Sequence, residues 1–91
     1  MDMLFRIKRS IMEELKLEVK EIVADAIGLE MDEFQNDTHI YKELGADSVV
    51  GFEILTKLQK KYHITIAPNE VMELMSIDKI SELIVKKTQN N

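Results

Sequence analysis

Leu44-Gly45-Ala46-Asp47-Ser48-Val49-Val50 is the stretch on which the reading of this chain turns. Gly45 supplies a turn. Asp47 and Ser48 then stand directly ahead of an apolar-periodic run: Val49, Val50, Phe52, Ile54, Leu55, Leu58 and Tyr62, with polar residues between. Asp before such a run reads as an N-cap, which predicts a helix from Ser48 to about Tyr62 with Ser48 in its first turn. A hydroxyl there stands beside backbone N–H groups that have no partner within the helix, at the positive end of the helix dipole. That setting favours an anionic group attached to it or docked near it. Ser and Asp are also common at helix starts for capping alone, so on these residues two readings stand: a cap, or an anchoring serine.

Upstream, Ser10-Ile11-Met12-Glu13 fits a capping box, with Ser at N-cap and Glu at N3. Ile11, Leu15, Val19, Ile22, Val23 and Ala26 follow at helical spacing, and Gly28 suits a left-handed stop. A first helix is expected over about 10–27, although Leu4 and Ile7 keep a similar phase and would allow it to begin earlier, across Ser10. Residues 29–46 are rich in Asp, Glu, Asn and Gln and have no sustained period. Their apolar members Leu29, Met31, Phe34, Ile40, Tyr41 and Leu44 predict a long loop pinned to the core, with single turns at 31–34 and 40–43.

Downstream, Gly51 in the first turns of the second helix costs about 1 kcal/mol against Ala. Either another surface approaches closely there or the sequence has drifted. His63-Ile64-Thr65-Ile66 alternates like a strand but has no partner strand, so it reads as an extended connector with Ile64 or Ile66 in the core. Pro68 opens a short helix at about 68–74, and Ser76 caps a last helix bearing Ile77, Ile80, Leu83 and Ile84 on one face. Lys86 and Lys87 close that helix, and residues 88–91 are expected to fray. The fold class is therefore all-α: three main helices plus one short one, with a long loop between the first and second. The domain plan is a lead at 1–9, one domain at 10–87 and a tail at 88–91.

At 91 residues the chain is one domain. It has no Cys, which excludes disulfides and thiolate zinc sites. His39 and His63 lack metal-ligand spacing and read as incidental, so no metal site is expected. A formal net charge of −5 argues against sequence-independent nucleic-acid binding. Acidity is concentrated ahead of Ser48, where Asp32, Glu33, Asp37, Glu43 and Asp47 face a single Lys42; the helix after it holds Glu53 against Lys57, Lys60 and Lys61. Those lysines complement the helix dipole. No apolar run is long enough for a signal sequence or a membrane span, so a cytoplasmic monomer is expected. Met1, the Asn90-Asn91 end and the lack of a Pro- or Gly-rich linker point to a free-standing protein.

Enzymatic use of Ser48 would need a base in reach and an oriented third group. Only His39 and His63 are candidates, neither lies in a motif that sets such geometry, and Gly-x-Ser-x-Gly is absent. No catalytic residue is expected. The acidic pairs Glu13-Glu14 and Asp32-Glu33 read as solvated faces.

Leu44-Gly45-Ala46-Asp47-Ser48 resembles the attachment motif of acyl carrier proteins. The resemblance runs on through Glu53 and Leu55 to Ile66-Ala67-Pro68-Asn69-Glu70, and back to Ala26-Ile27-Gly28-Leu29, covering roughly 14–87. It implies that Ser48 carries 4'-phosphopantetheine, placed there from coenzyme A by a phosphopantetheinyl transferase with magnesium. The arm's thiol would hold acyl groups as thioesters for the loading, condensing and modifying enzymes of a pathway. The carrier would perform no catalysis; its contribution would be tethering at high effective concentration. Asp47 matches the acidic residue before the modified serine, and the helix from Ser48 matches the family's recognition helix, with Val49, Val50 and Glu53 as the expected partner contacts. Met72 and Met75 fall in the short helix that, in such carriers, borders the interior opened by acyl chains; deformable Met suits that place, and plain gap-filling is the other reading.

Two departures bear on the pathway. Val49 stands where fatty-acid carriers usually have Leu and Val50 where they often have an acid, while Lys57, Lys60 and Lys61 reduce the acidity of that helix and weaken steering by basic partners. Polyketide biosynthesis is therefore favoured over fatty-acid biosynthesis. An aminoacyl or peptidyl carrier of a nonribosomal peptide pathway and an unmodified helical adaptor with the carrier fold remain as alternatives.

Overall fold

The computed structural model describes residues 2–89. In order they form α1 (Asp2–Ile27), a single 3-10 turn (Met31–Glu33), α2 (Ser48–Tyr62), a 3-10 segment (Pro68–Glu73) and α3 (Ile77–Gln89). Three main helices and one short one pack as an all-α bundle, with no strand among the described residues.

The first helix differs from the expected start at Ser10. Its backbone is helical from Asp2, and Ser10 lies exposed within it, with no capping role. Nothing breaks the helix before Gly28, since no Gly or Pro precedes it, and propagation then adds one hydrogen bond per residue without a new nucleus. Glu13 forms an i,i+4 pair with Arg9 (3.8 Å) where the capping box had been expected. The C-terminal end is as expected: Gly28 has φ +86°, and the amides of Gly28 and Leu29 both return to the Ala24 carbonyl. At the other end of the chain α3 stays helical through Thr88 and Gln89, whereas Asn90 and Asn91 lie outside the described residues.

The core draws on every segment. Val19 and Val23 come from α1, Ile54 and Leu58 from α2, Leu74 from the end of the 3-10 segment, and Ile77 and Ile80 from α3. Each such side chain contributes about 1.5–3 kcal/mol by leaving water. Both Ile64 and Ile66 of the connector are buried, which explains an alternating pattern in a stretch with no strand to pair with.

The long loop is held at several points. Phe34 and Ile40 are buried, and Leu29, Met31 and Leu44 pack against the core. The Ile40 amide donates to the Met75 carbonyl at 2.7 Å, and the Asp78 amide to the Asn36 carbonyl at 3.1 Å. His39, expected to be incidental, organises the 40–43 turn: its carbonyl and Nδ1 accept the amides of Glu43 and Lys42, and its own amide donates to Glu43 Oε2. His63 also has a structural place, as the left-handed cap of α2 at φ 54°.

Candidate functional site

The start of α2 is built by Gly45 and Asp47. Gly45 has φ +71°, a conformation that costs a residue with Cβ and that turns the loop into the helix. Asp47 is extended, and its Oδ1 accepts the Val50 amide at 3.1 Å. The cap is thus made by Asp47, leaving Ser48 exposed as the first helical residue. The amides of Ser48 and Val49 have no acceptor within the helix, as first-turn geometry requires. An exposed hydroxyl beside such amides, at the positive end of α2, suits an anionic phosphodiester.

The three sides of α2 meet different neighbours. Ser48, Gly51, Leu55 and Gln59 lie along one flank, at helical spacing. Gln59 Oε1 accepts the Ile66 amide at 2.7 Å on this flank, and Gly51 meets the 3-10 segment. There the Tyr41 hydroxyl donates to the Val71 carbonyl at 2.6 Å, and a Cβ on residue 51 would stand 2.5 Å from the Tyr41 oxygen and 2.9 Å from Val71 Cγ2. Close approach is therefore the reason for glycine at 51. Burial raises the Tyr41 pKa above the ordinary tyrosine value.

The opposite flank faces α1. Lys57 pairs with Asp25 at 2.9 Å, Lys61 lies 3.9 Å from Glu18, and the Tyr62 hydroxyl donates to Glu18 at 2.9 Å. The hydrogen bond to Asp25 raises the Lys57 pKa. Two of the three lysines that dilute the acidity of α2 thus hold it to α1, and Lys60 alone stands on the solvent face. That face carries Val49 (73% exposed), Phe52, Glu53, Thr56 and Lys60. Across the seam Met72 is 56% exposed, while Met75 is half-buried just beyond the 3-10 segment.

Of the expected contact residues, Val49 and Glu53 stand on the open face beside Ser48, whereas Val50 is half-buried and packs against the core. Phe52 and Met72 extend the apolar surface and were not singled out as contacts. Their signal in the sequence was faint, because Phe52 counts equally well as a member of the apolar period. The 3-10 segment itself is fixed by Glu70, whose Oε1 accepts both the Ala67 amide (2.7 Å) and Lys87 Nζ (2.9 Å); Lys87 is the main reason its carboxyl titrates below the usual range. No helix among the described residues is long and apolar enough to cross a membrane.

The all-α bundle and the exposed serine at the start of α2 suit a carrier domain, and comparison with known proteins identifies the family. The family model for the phosphopantetheine attachment site matches residues 6–84. Polyketide-8 synthase acyl carrier protein 2 of Streptomyces avermitilis is 31% identical over 72 residues, 79% of this chain and 83% of that protein. An acyl carrier protein of Cyanidium caldarium is 26% identical over 78 residues, 86% of this chain and 91% of that one. The HMG-ACPI domain of the CurA module from Lyngbya majuscula has the same fold, with a TM-score of 0.74 over 88% of this chain and 82% of that one at 24% identity. This chain belongs to the phosphopantetheine-attachment family and is an acyl carrier protein. The family's cofactor is 4'-phosphopantetheine.

Proposed function

We propose that Ser48 is the attachment residue and that the chain carries acyl groups of the polyketide type for separate synthase enzymes. The observation that supports the attachment most directly is the division of labour at α2: Asp47 caps the helix, and the Ser48 hydroxyl is exposed and uncommitted. When bound, phosphopantetheine supplies a terminal thiol on a flexible tether, where acyl groups are held. Asp47 fixes the first turn so that Ser48 Oγ points outward, and the amides of Ser48 and Val49 favour the phosphodiester charge. The chain adds no catalytic group of its own, and its work is presentation.

The polyketide reading draws on the Streptomyces avermitilis relative and on the open face of α2. Glu53 and Lys60 offset one another there, and Val49, Phe52 and Met72 supply apolar surface, so an enzyme that docks through a strongly basic patch finds little to read. Partners of this carrier are a phosphopantetheinyl transferase and the loading, condensing and modifying enzymes of a synthase. Val49, Glu53, Phe52 and Met72 are the contact residues in this reading. The carrier unit spans 10–87, and the protein acts as a cytoplasmic monomer.

The deciding experiment is intact-protein mass spectrometry after incubation with coenzyme A, magnesium and a broad-specificity transferase. Wild type gains one phosphopantetheine and Ser48→Ala gains none. A gain in Ser48→Ala, or none in wild type with any transferase, overturns the assignment. Loading of the holo-protein from the same malonyl donor by polyketide-type and by fatty-acid-type acyltransferases then separates the pathways, with faster transfer by the polyketide-type enzyme the expected result.

A further inference from the structure

The seam between α2 and the 3-10 segment is closed by one polar contact. Tyr41 leaves the loop half-buried, crosses Gly51 and donates its hydroxyl to the Val71 carbonyl at 2.6 Å. Three separate pieces of chain meet there: the loop, the first turns of α2 and the 3-10 segment. Ser48 and Gly51 lie one turn apart on the same flank, so the contact stands between Ser48 and the apolar interior formed by Ile54, Leu55, Val71 and Leu74. There is no room to spare at this point, because even one added carbon on Gly51 would meet both Tyr41 and Val71 within 3 Å.

We infer that Tyr41 is a specificity-determining latch: it keeps a saturated acyl chain held at Ser48 outside the bundle by closing the seam over Gly51. The inference rests on Ser48 as the attachment residue. An alkyl chain that entered here would have to part Gly51 from Val71 and so break the Tyr41 bond. The Val71 carbonyl keeps a second donor, the Leu74 amide at 3.2 Å, so the group left unpaired is the Tyr41 hydroxyl. An alkyl chain has nothing to offer that hydroxyl, and an unpaired buried donor is costly. Removing the hydroxyl removes the penalty. Removing the ring as well, in Tyr41→Ala, opens the same seam more widely.

The test loads wild type, Tyr41→Phe and Tyr41→Ala through Ser48 with an octanoyl-pantetheine in which an amide replaces the thioester. Mass spectrometry first confirms one addition to each; failure of all three to load overturns the Ser48 assignment and this inference together. NOEs are then read between the octanoyl chain and the methyl groups of Ile54, Val71 and Leu74. In wild type the chain shows none. In Tyr41→Phe, and in Tyr41→Ala as the second route to the same opening, they appear; the ratio of interior to exterior chain rises about fivefold, the factor that one hydrogen bond represents, and octanoyl thioesters on these variants hydrolyse more slowly in step with the interior fraction. Interior NOEs in loaded wild type, or none in both loaded variants, would overturn the latch while leaving Ser48 in place.

Discussion

The Asp47 carboxylate accepts the Val50 amide at 3.1 Å, and that bond separates two duties at the start of α2. Asp47 holds the helix; Ser48 is free of that task. Asp47→Ala should therefore cost about 1 kcal/mol, and Asp47→Asn, which can cap equally well, only a few tenths. Ser48→Ala, at an exposed position outside the cap, should stay within about 0.5 kcal/mol of wild type. Urea midpoints of the three variants check this. A loss of stability in Ser48→Ala as large as in Asp47→Ala would return the capping role to the serine.

Gly51 and Tyr41 form a coupled pair. Gly51→Ala gains up to about 1 kcal/mol in helix propensity, yet it must displace the Tyr41 hydroxyl and crowd Val71, which costs about 1–3 kcal/mol. A net destabilisation of about 1 kcal/mol is expected, contrary to the usual stabilisation by Ala in a helix. Combined with Tyr41→Phe, which clears the clashing oxygen, the double variant should be more stable than the two single losses add up to, by about 0.5 kcal/mol or more. Strict additivity in thermal or urea unfolding would remove Tyr41 as the reason for glycine.

Much of this architecture was legible because periodicity and punctuation agree along the chain. Gly28, Gly45, Asp47 and Pro68 each sit where backbone chemistry requires them, so the ends of the loop and of α2 follow from local rules. The start of α1 was only partly legible: Leu4 and Ile7 keep the helical phase across Ser10, but Ser10-Ile11-Met12-Glu13 satisfies the capping pattern, which names a possible cap and cannot stop a helix already propagating from Asp2. His39, Lys57 and Lys61 were equally opaque. Their partners, the Lys42 and Glu43 groups in one case and Asp25 and Glu18 in the other, are fixed by the turn geometry and by how α1 crosses α2. At the site itself, the motif around Ser48 was readable, whereas the apolar contributions of Phe52 and Met72 depend on which helix flank the 3-10 segment covers.

Lys57 and Lys60 should respond differently to charge reversal. Lys60→Glu lies on the open face and should lower the urea midpoint only slightly, through the helix dipole, while strengthening association with enzymes that dock through basic patches. Lys57→Glu would set a carboxylate beside Asp25, replacing a 2.9 Å ion pair with repulsion, and should lower the midpoint. Equal effects on stability would mean that the Lys57–Asp25 pair does not help hold α2 to α1.

Ser81 is fully buried on the core face of α3, and its hydroxyl has no partner among the described residues. Ser81→Ala removes that unpaired group and improves helix propensity, so it should raise stability by about 1 kcal/mol. A drop in melting temperature would mean that the hydroxyl is satisfied in solution.

Alkaline pH should unfold this protein through its two tyrosines. Burial, aided for Tyr62 by the hydrogen bond to the Glu18 carboxylate, raises both phenol pKa values above the ordinary value of 10.0. Below that value both native and unfolded chains hold the phenolic protons, and the stabilisation is complete. Above about pH 10 the unfolded chain sheds them while the native chain retains them, so stability falls with each further pH unit until the native groups also titrate, by less than the ~1.4 kcal/mol per unit of a fully buried group because both rings are partly exposed. Lys57, its ammonium held by Asp25, acts with the same sign. Urea midpoints should therefore fall between about pH 10 and pH 12, and tyrosinate absorbance should rise later in the native protein than in the unfolded one. Tyr62→Phe should be less stable at neutral pH, having lost the bond to Glu18, but should lose less on going alkaline. A midpoint that stays level across that range, with both tyrosines titrating as in the unfolded chain, would show that Tyr41 and Tyr62 are not held protonated by their surroundings.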